Sequence, residues 1–365
     1  MTGSTRIPPI TMPSLAASIC LFSAIPALSS DITLIEKISI PGNKFENFDI
    51  SYIDPSTGRY YLADRSNAAV DVFDTKANKY LFRVGGFVGA KERSSVSGPD
   101  GVVALPERKE VWAGDGDSTV KVIDVSVDPA RLVATFSTGG KARVDEMAYD
   151  PKDGLVLAAN NADKPAFVSL ISTKDRSVVA KVVIGEASDG IEQPAYVPET
   201  GLFYFSVPIL SGDKTHGAVA VFDPQSMKVQ KFIPVNNCGP TGLAKGPGAK
   251  LVVGCGADAT ADGKSPGTVI LDLRTETTTV VPQVGGEDEV WYNARANQYY
   301  TASRDMVGGA VLGVIDAGTD AWVANLPTSK NAHSVAADPD TNEIFVPLTS
   351  GDGCAAGCIG VYRAR

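Results

Sequence analysis

Acidic residues recur along this chain at a spacing that could gather them into one site. Asp49, Asp100, Asp145, Glu192 and Asp288 each open one of a series of repeats, and another repeat opens on His333, one of only two histidines. Carboxylates brought together repel one another unless a cation or hydrogen-bond donors answer them. A hard divalent ion, Ca2+ or Mg2+, is one answer, since such ions are held by carboxylate, carbonyl and water oxygens. Held by those five acids, it would polarise a carbonyl. His333, or Glu146 or Glu289 one residue further along, would then move the proton. The other answers are pairing with Arg65, Arg143 or Arg304, which the same register puts near this face, and hydration in a wide channel. Hairpin arithmetic adds that Asp49 should lie opposite Asp64, and Asp100 opposite Asp115.

Other chemistry is sparse. Two histidines cannot build a three-histidine metal centre. There is no Gly-x-Ser-x-Gly elbow, no Gly-x-x-x-x-Gly-Lys phosphate cradle and no Cys-x-x-Cys-His haem attachment. Cys238 and Cys255 flank the turn at Gly246-Pro247-Gly248 and are expected to form a cross-strand disulfide. Cys354 and Cys358 are expected to close a small second loop, with a four-thiolate zinc site as the rival. Trp112, Trp291 and Trp322, and aromatic pairs such as Tyr60-Tyr61 and Tyr299-Tyr300, lie on repeat strands, where packing between elements is the expected role.

These residues sit on a repeating frame. Tyr60-Tyr61-Leu62-Ala63-Asp64 is followed by Ala69-Val70-Asp71-Val72-Phe73-Asp74, and comparable strand pairs recur seven times to the C-terminus. Each copy opens with a further short strand ending in a turn such as Asp54-Pro55-Ser56-Thr57-Gly58 or Asp150-Pro151-Lys152-Asp153-Gly154. Aligned at Asp49, Asp100, Asp145, Glu192, Gly239, Asp288 and His333, the period is about 47 residues, that of a four-stranded propeller blade. The expectation is therefore an all-β, seven-bladed β-propeller over 31–365. The last copy lacks a fourth strand, which the segment from Thr33 to Gly42 supplies, closing the ring and hiding its sheet edges. The loops on the face of the acidic ring are the long ones: Pro208–Gly217 with His216, Ala257–Gly267 with Asp258 and Asp262, and Thr349–Gly357. The funnel mouth there is the candidate site.

The formal net charge is −9, with 33 basic against 42 acidic residues. That balance opposes binding to nucleic-acid phosphates or anionic lipid. Residues 1–30 carry one charge, Arg6, an apolar stretch and the small-x-small pattern Ala27-Leu28-Ser29, which reads as a secretory signal peptide. No later stretch is long and apolar enough to span a membrane. The mature protein is expected to be secreted or periplasmic, monomeric and disulfide-bonded.

The Val-x-Val-[Ile/Phe]-Asp strand endings, with openings such as Gly98-Pro99-Asp100-Gly101-Val102-Val103 and Ala332-His333-Ser334-Val335-Ala336-Ala337-Asp338-Pro339, resemble the YncE-type propellers, also called the YVTN family. The resemblance covers residues 31–365 and implies an extracytoplasmic propeller, often without an assigned reaction. A more remote similarity is to gluconolactonase and strictosidine-synthase propellers, the first of which hold a divalent metal. None of their ligand motifs maps onto individual residues here. The expected function is binding of a small molecule, cation or protein partner at the acidic funnel. The alternative is a divalent-metal-dependent hydrolase of lactonase type on the same carboxylates.

Overall fold

The computed structural model describes residues 1–3, 32–256, 263–351 and 353–364. Its main compact unit runs from Asp31 to Arg365 and consists of seven four-stranded antiparallel sheets. Six blades use four consecutive strands, as in the first: Ser51–Asp54, Arg59–Asp64, Ala69–Asp74 and Lys79–Gly85. The seventh combines Ala336–Asp338, Glu343–Leu348 and Cys358–Ala364 with the first strand of the chain, Ile32–Ser39. That strand pairs antiparallel with the last, Ile38 opposite Ile359 and Lys37 opposite Gly360. The ring is closed by the N-terminal segment, as expected.

Burial explains the sequence pattern. Each blade is covered on both faces by its neighbours, so its middle strands can be apolar at successive positions. Leu155–Asn160 and Leu202–Val207 are buried along nearly their whole length. The outermost strands alternate: Arg131–Ser137 and Ser177–Val183 present an exposed residue at every second position. Core clusters bridge adjacent blades, as where Tyr204 and Val219 of the fourth pack with Leu251 and Val269 of the fifth. The Asp that closes the recurring strand motif is a turn device. Asp74 accepts hydrogen bonds from the backbone N–H groups of Lys76 and Ala77 at 2.9 Å, and Asp223 and Asp316 do likewise for Gln225 and Gly318. These are Asx turns, which fold the third strand back into the fourth.

No helix among the described residues is long and apolar enough to cross a membrane. The signal-peptide segment falls outside the described residues, apart from residues 1–3.

Candidate functional site: a two-tiered channel

The ring positions are built by one repeated irregularity. In the first blade Asp49 N–H donates to the Ala63 carbonyl, while Ala63 N–H donates to Ile50, so two residues oppose one. The same offset recurs for Asp100 and Gly101 against Gly114, Asp145 and Glu146 against Ala159, Glu192 and Gln193 against Ser206, and Asp288 and Glu289 against Ala302. A β-bulge of this kind breaks the strict alternation of side chains and re-aims them. It gives the channel two tiers: an upper one at the long-loop end, from the first residue of each bulge, and a lower one from the second.

The bulge also corrects two expectations. Asp49 does not face Asp64, nor Asp100 Asp115, because the ladder slips at that step. Asp64 instead accepts from Asn67 and lies beside Asp71 and Arg83, and Asp115 pairs with Lys121 and the Val88 N–H. In the fifth blade Pro240 stands opposite Cys255 and Leu243 opposite Val253, with the register shift between them, so the ring position belongs to Thr241 rather than Gly239. Gly101 and Gly242 occupy second positions where a Cβ would stand 2.1 Å from the Asp145 carbonyl and 2.7 Å from that of Asp288. There the next blade comes too close for any side chain.

In the upper tier the arginines meet the acids. Arg65, which follows the strand Arg59–Asp64 and begins a short 3-10 turn, donates through Nη2 to both Asp49 and Asp100. Arg143 Nη2 lies 2.7 Å from Asp145 and Arg304 Nη1 2.9 Å from Asp288. His333 is buried and stacked on Phe48 at 4.2 Å; its Nδ1 faces the Asn331 carbonyl and its Nε2 lies 3.5 Å from Asp49. Glu192 is half-buried and has no ion-pair partner among the described residues. Burial disfavours charge on Asp49, but Arg65, the His333 hydrogen bond and Arg143 outweigh it and hold the carboxyl well below its ordinary range. Asp100 moves the other way, pushed up by burial and then by the Asp49 charge with which it shares one guanidinium. Asp145 is raised to about 6, and Glu192 well above its ordinary value, in each case by burial first and then by neighbouring carboxylates.

A divalent cation has a candidate place here. One oxygen from each of Asp49, Asp100 and Asp145 lies within 4.8 Å of the others. Arg65 already donates to two of the three, so a metal would have to displace a buried guanidinium.

In the lower tier Glu146 and Glu289 do not join the arginine pairs. Glu289 Oε2 accepts from Ser334 Oγ and from Val335 N–H at 3.1 Å in the next blade. Gln193 Oε1 accepts from Leu243 N–H at 2.7 Å. Ser334 Oγ accepts from Ser51 N–H at 2.9 Å. Second-position side chains thus tie the exposed edge of one innermost strand to the blade before it. Burial, then nearby carboxylates, raises Glu146 well above its ordinary value; Glu289 is raised as well, by burial first. Both line a cavity of about 420 Å³ that opens on the short-turn face.

Both expected disulfides are formed, Cys238–Cys255 and Cys354–Cys358. Cys255 pairs in the ladder with Pro240, so its bond reaches back to a residue before the strand. Glu287, missed in the sequence, is buried against this bridge: its Oε2 accepts from Cys255 N–H at 2.8 Å, its Oε1 from Thr268, and burial raises it to about 7. Of the long loops, Asp258 and Asp262 lie outside the described residues, and His216 is exposed beside Asp213 at 3.4 Å. Trp112 is buried as expected. Trp322 is exposed, its indole N–H donating to Asn325, and Trp291 borders the channel cavity.

A closed ring of seven four-stranded blades around a carboxyl-lined channel defines the chain as a seven-bladed β-propeller. No family model matches its sequence, and no curated protein matches it. Among solved structures it is similar to the hydrazine synthase of Kuenenia stuttgartiensis, with a TM-score of 0.70 and 14% identity over 89% of this chain and 96% of that one. At that identity the likeness is one of fold.

Proposed function

We propose that this is an extracytoplasmic binding propeller of the YncE type, which holds a small cation at the long-loop end of its channel and does not transform it. The observation that carries the reading is Glu192, a half-buried ring carboxyl with no ion pair among the described residues, where Asp49, Asp100, Asp145 and Asp288 each have an arginine. The two disulfides and the leader-like composition of residues 1–30 support an exported protein. The recurring strand motif supports the YncE type.

A cation bound only by the folded protein raises its melting temperature with concentration. Ca2+ and Mg2+ are therefore expected to shift the melting temperature of the mature protein, and Glu192→Gln to remove that shift. An unshifted melting curve at millimolar Ca2+ and Mg2+ rejects the site.

The closeness of Asp49, Asp100 and Asp145 favours a second reading, the metal-dependent hydrolase. In that case Asp100→Asn, not Glu192→Gln, abolishes the shift, and simple lactones are turned over in a cation-dependent way that His333→Ala removes.

A further inference from the structure

The short-turn half of the channel is a cavity that the long-loop site does not use. Its floor is the lower tier, where Glu146, Gln193 and Glu289 meet near the axis, and its walls include Tyr52, Tyr149, Tyr196 and Trp291. At about 420 Å³ it is within the usual size of small-molecule sites, which combine apolar and aromatic walls with a few convergent polar groups. Glu146 is 5% exposed, and its Oε2 has no hydrogen-bond partner among the described residues. The other floor groups are committed on one side only, Glu289 through Oε2 and Gln193 through Oε1.

All but one of the charged side chains lining the cavity are acidic. Glu107 stands exposed at the mouth. The one basic side chain lining the cavity, Lys245, is turned onto the carbonyls of Gly246 and Gly248 at 2.6 and 2.8 Å and onto Glu199 at 3.2 Å. Aromatic faces attract cations through their quadrupoles, most strongly where water is excluded. A buried carboxyl oxygen without a donor is costly, and an N–H donor from a ligand relieves that cost.

We infer that this cavity is a second ligand site, which takes a protonated primary amine carrying a flat apolar body, with the ammonium on Glu146 and the body between Tyr52 and Trp291 on one side and Tyr149 and Tyr196 on the other. Tyr52 and Trp291 already meet edge to face at 5.3 Å, forming a ready aromatic wall. An anion would meet Glu146 and Glu289, and a neutral molecule would forgo the charge-assisted bond. The site is distinct from the cation site at Glu192 and does not depend on it.

Three probes with the same indole body test the charge: tryptamine, the neutral alcohol tryptophol and indole-3-acetate. Calorimetric titration of the mature protein is expected to show tryptamine binding at least about tenfold more tightly than the other two, the size of one hydrogen bond to a charged group. Glu146→Gln is expected to remove that preference, and Glu192→Gln to leave it intact. Equal binding of tryptophol, or no binding of tryptamine, overturns the proposal on the unaltered protein alone, whether or not the variants fold. Loss of tryptamine binding in Glu192→Gln but not in Glu146→Gln also overturns it, by placing the amine at the other end. A failed Ca2+ or Mg2+ shift, by contrast, bears only on the long-loop site.

Discussion

Arg65 settles how the acids of the first two blades coexist. It is 6% exposed and bonded to two carboxylates from different blades, so it is their counter-ion and also a tie between the blades. Removing one partner of a buried ion pair leaves charge without compensation and costs about 3–5 kcal/mol. Arg65→Met is therefore expected to lower unfolding stability by about that amount in urea titrations. The loss should be smaller at pH 5 than at pH 8, since Asp49 and Asp100 can then shed their charge by taking up protons. A variant as stable as the parent would mean that water, rather than the guanidinium, neutralises the ring.

The strand that closes the last blade and the bulge that opens most blades are the two elements on which the channel depends. Ile32–Ser39 covers the edge of Cys358–Ala364 and buries Ile32 and Ile38. At about 1.5–3 kcal/mol for each buried aliphatic side chain, deleting residues 31–42 is expected to cost roughly 5 kcal/mol and to leave an unpaired edge prone to association. Denaturation midpoints and light scattering of the truncated protein check both effects; an unchanged midpoint would show that the ring closes without this strand. The bulge decides which end of the channel each acid serves. Asp145 and Glu146 are neighbours in the chain, yet one pairs with Arg143 at the upper tier and the other forms the floor of the opposite cavity.

For the molecule as a whole, the consequence of so many buried carboxyls is a stability that depends on pH in an unusual direction. Asp145, Glu287 and Asp71 are raised to about 6, about 7 and about 8, and Asp100, Glu146, Glu192 and Glu289 are raised as well, with burial the first cause in each. A carboxyl raised in the folded state keeps a proton that the unfolded chain has released. Its contribution is full below the unfolded value and is lost as pH rises through the folded one. Asp145 alone, raised from 3.8 to about 6, accounts for on the order of 3 kcal/mol across that interval at about 1.4 kcal/mol per unit. Asp49 works in the opposite sense, but its contribution is lost only as pH falls below the ordinary carboxylate range. The melting temperature is therefore expected to be higher at pH 5 than at pH 8 by several degrees. Calorimetry in matched ionic strength checks the sign, and a melting temperature that rises toward pH 8 would show the ring ionised and solvated.

Much of this was legible in the residue order. A four-strand period repeated seven times has one compact solution, since each blade can bury its faces only against a neighbour, and the unpaired last copy requires the N-terminal strand. The cysteine pairs and the nearness of Arg65, Arg143 and Arg304 to the acids were readable for the same reason, because each follows from position within a hairpin. What the order of residues left open is what a one-residue slip decides. The bulge separates Asp49 from Asp64, moves the fifth ring position from Gly239 to Thr241, and sends Glu146 and Glu289 toward the opposite face from Asp145 and Asp288. Register arithmetic assumes strict alternation, and a bulge violates it without any marker in residue type. Nor could a linear pattern reveal that Trp291, read as a packing residue, borders one cavity together with Tyr52, Tyr149 and Tyr196. Their convergence depends on closure of the ring, which brings blades distant in sequence to a common axis.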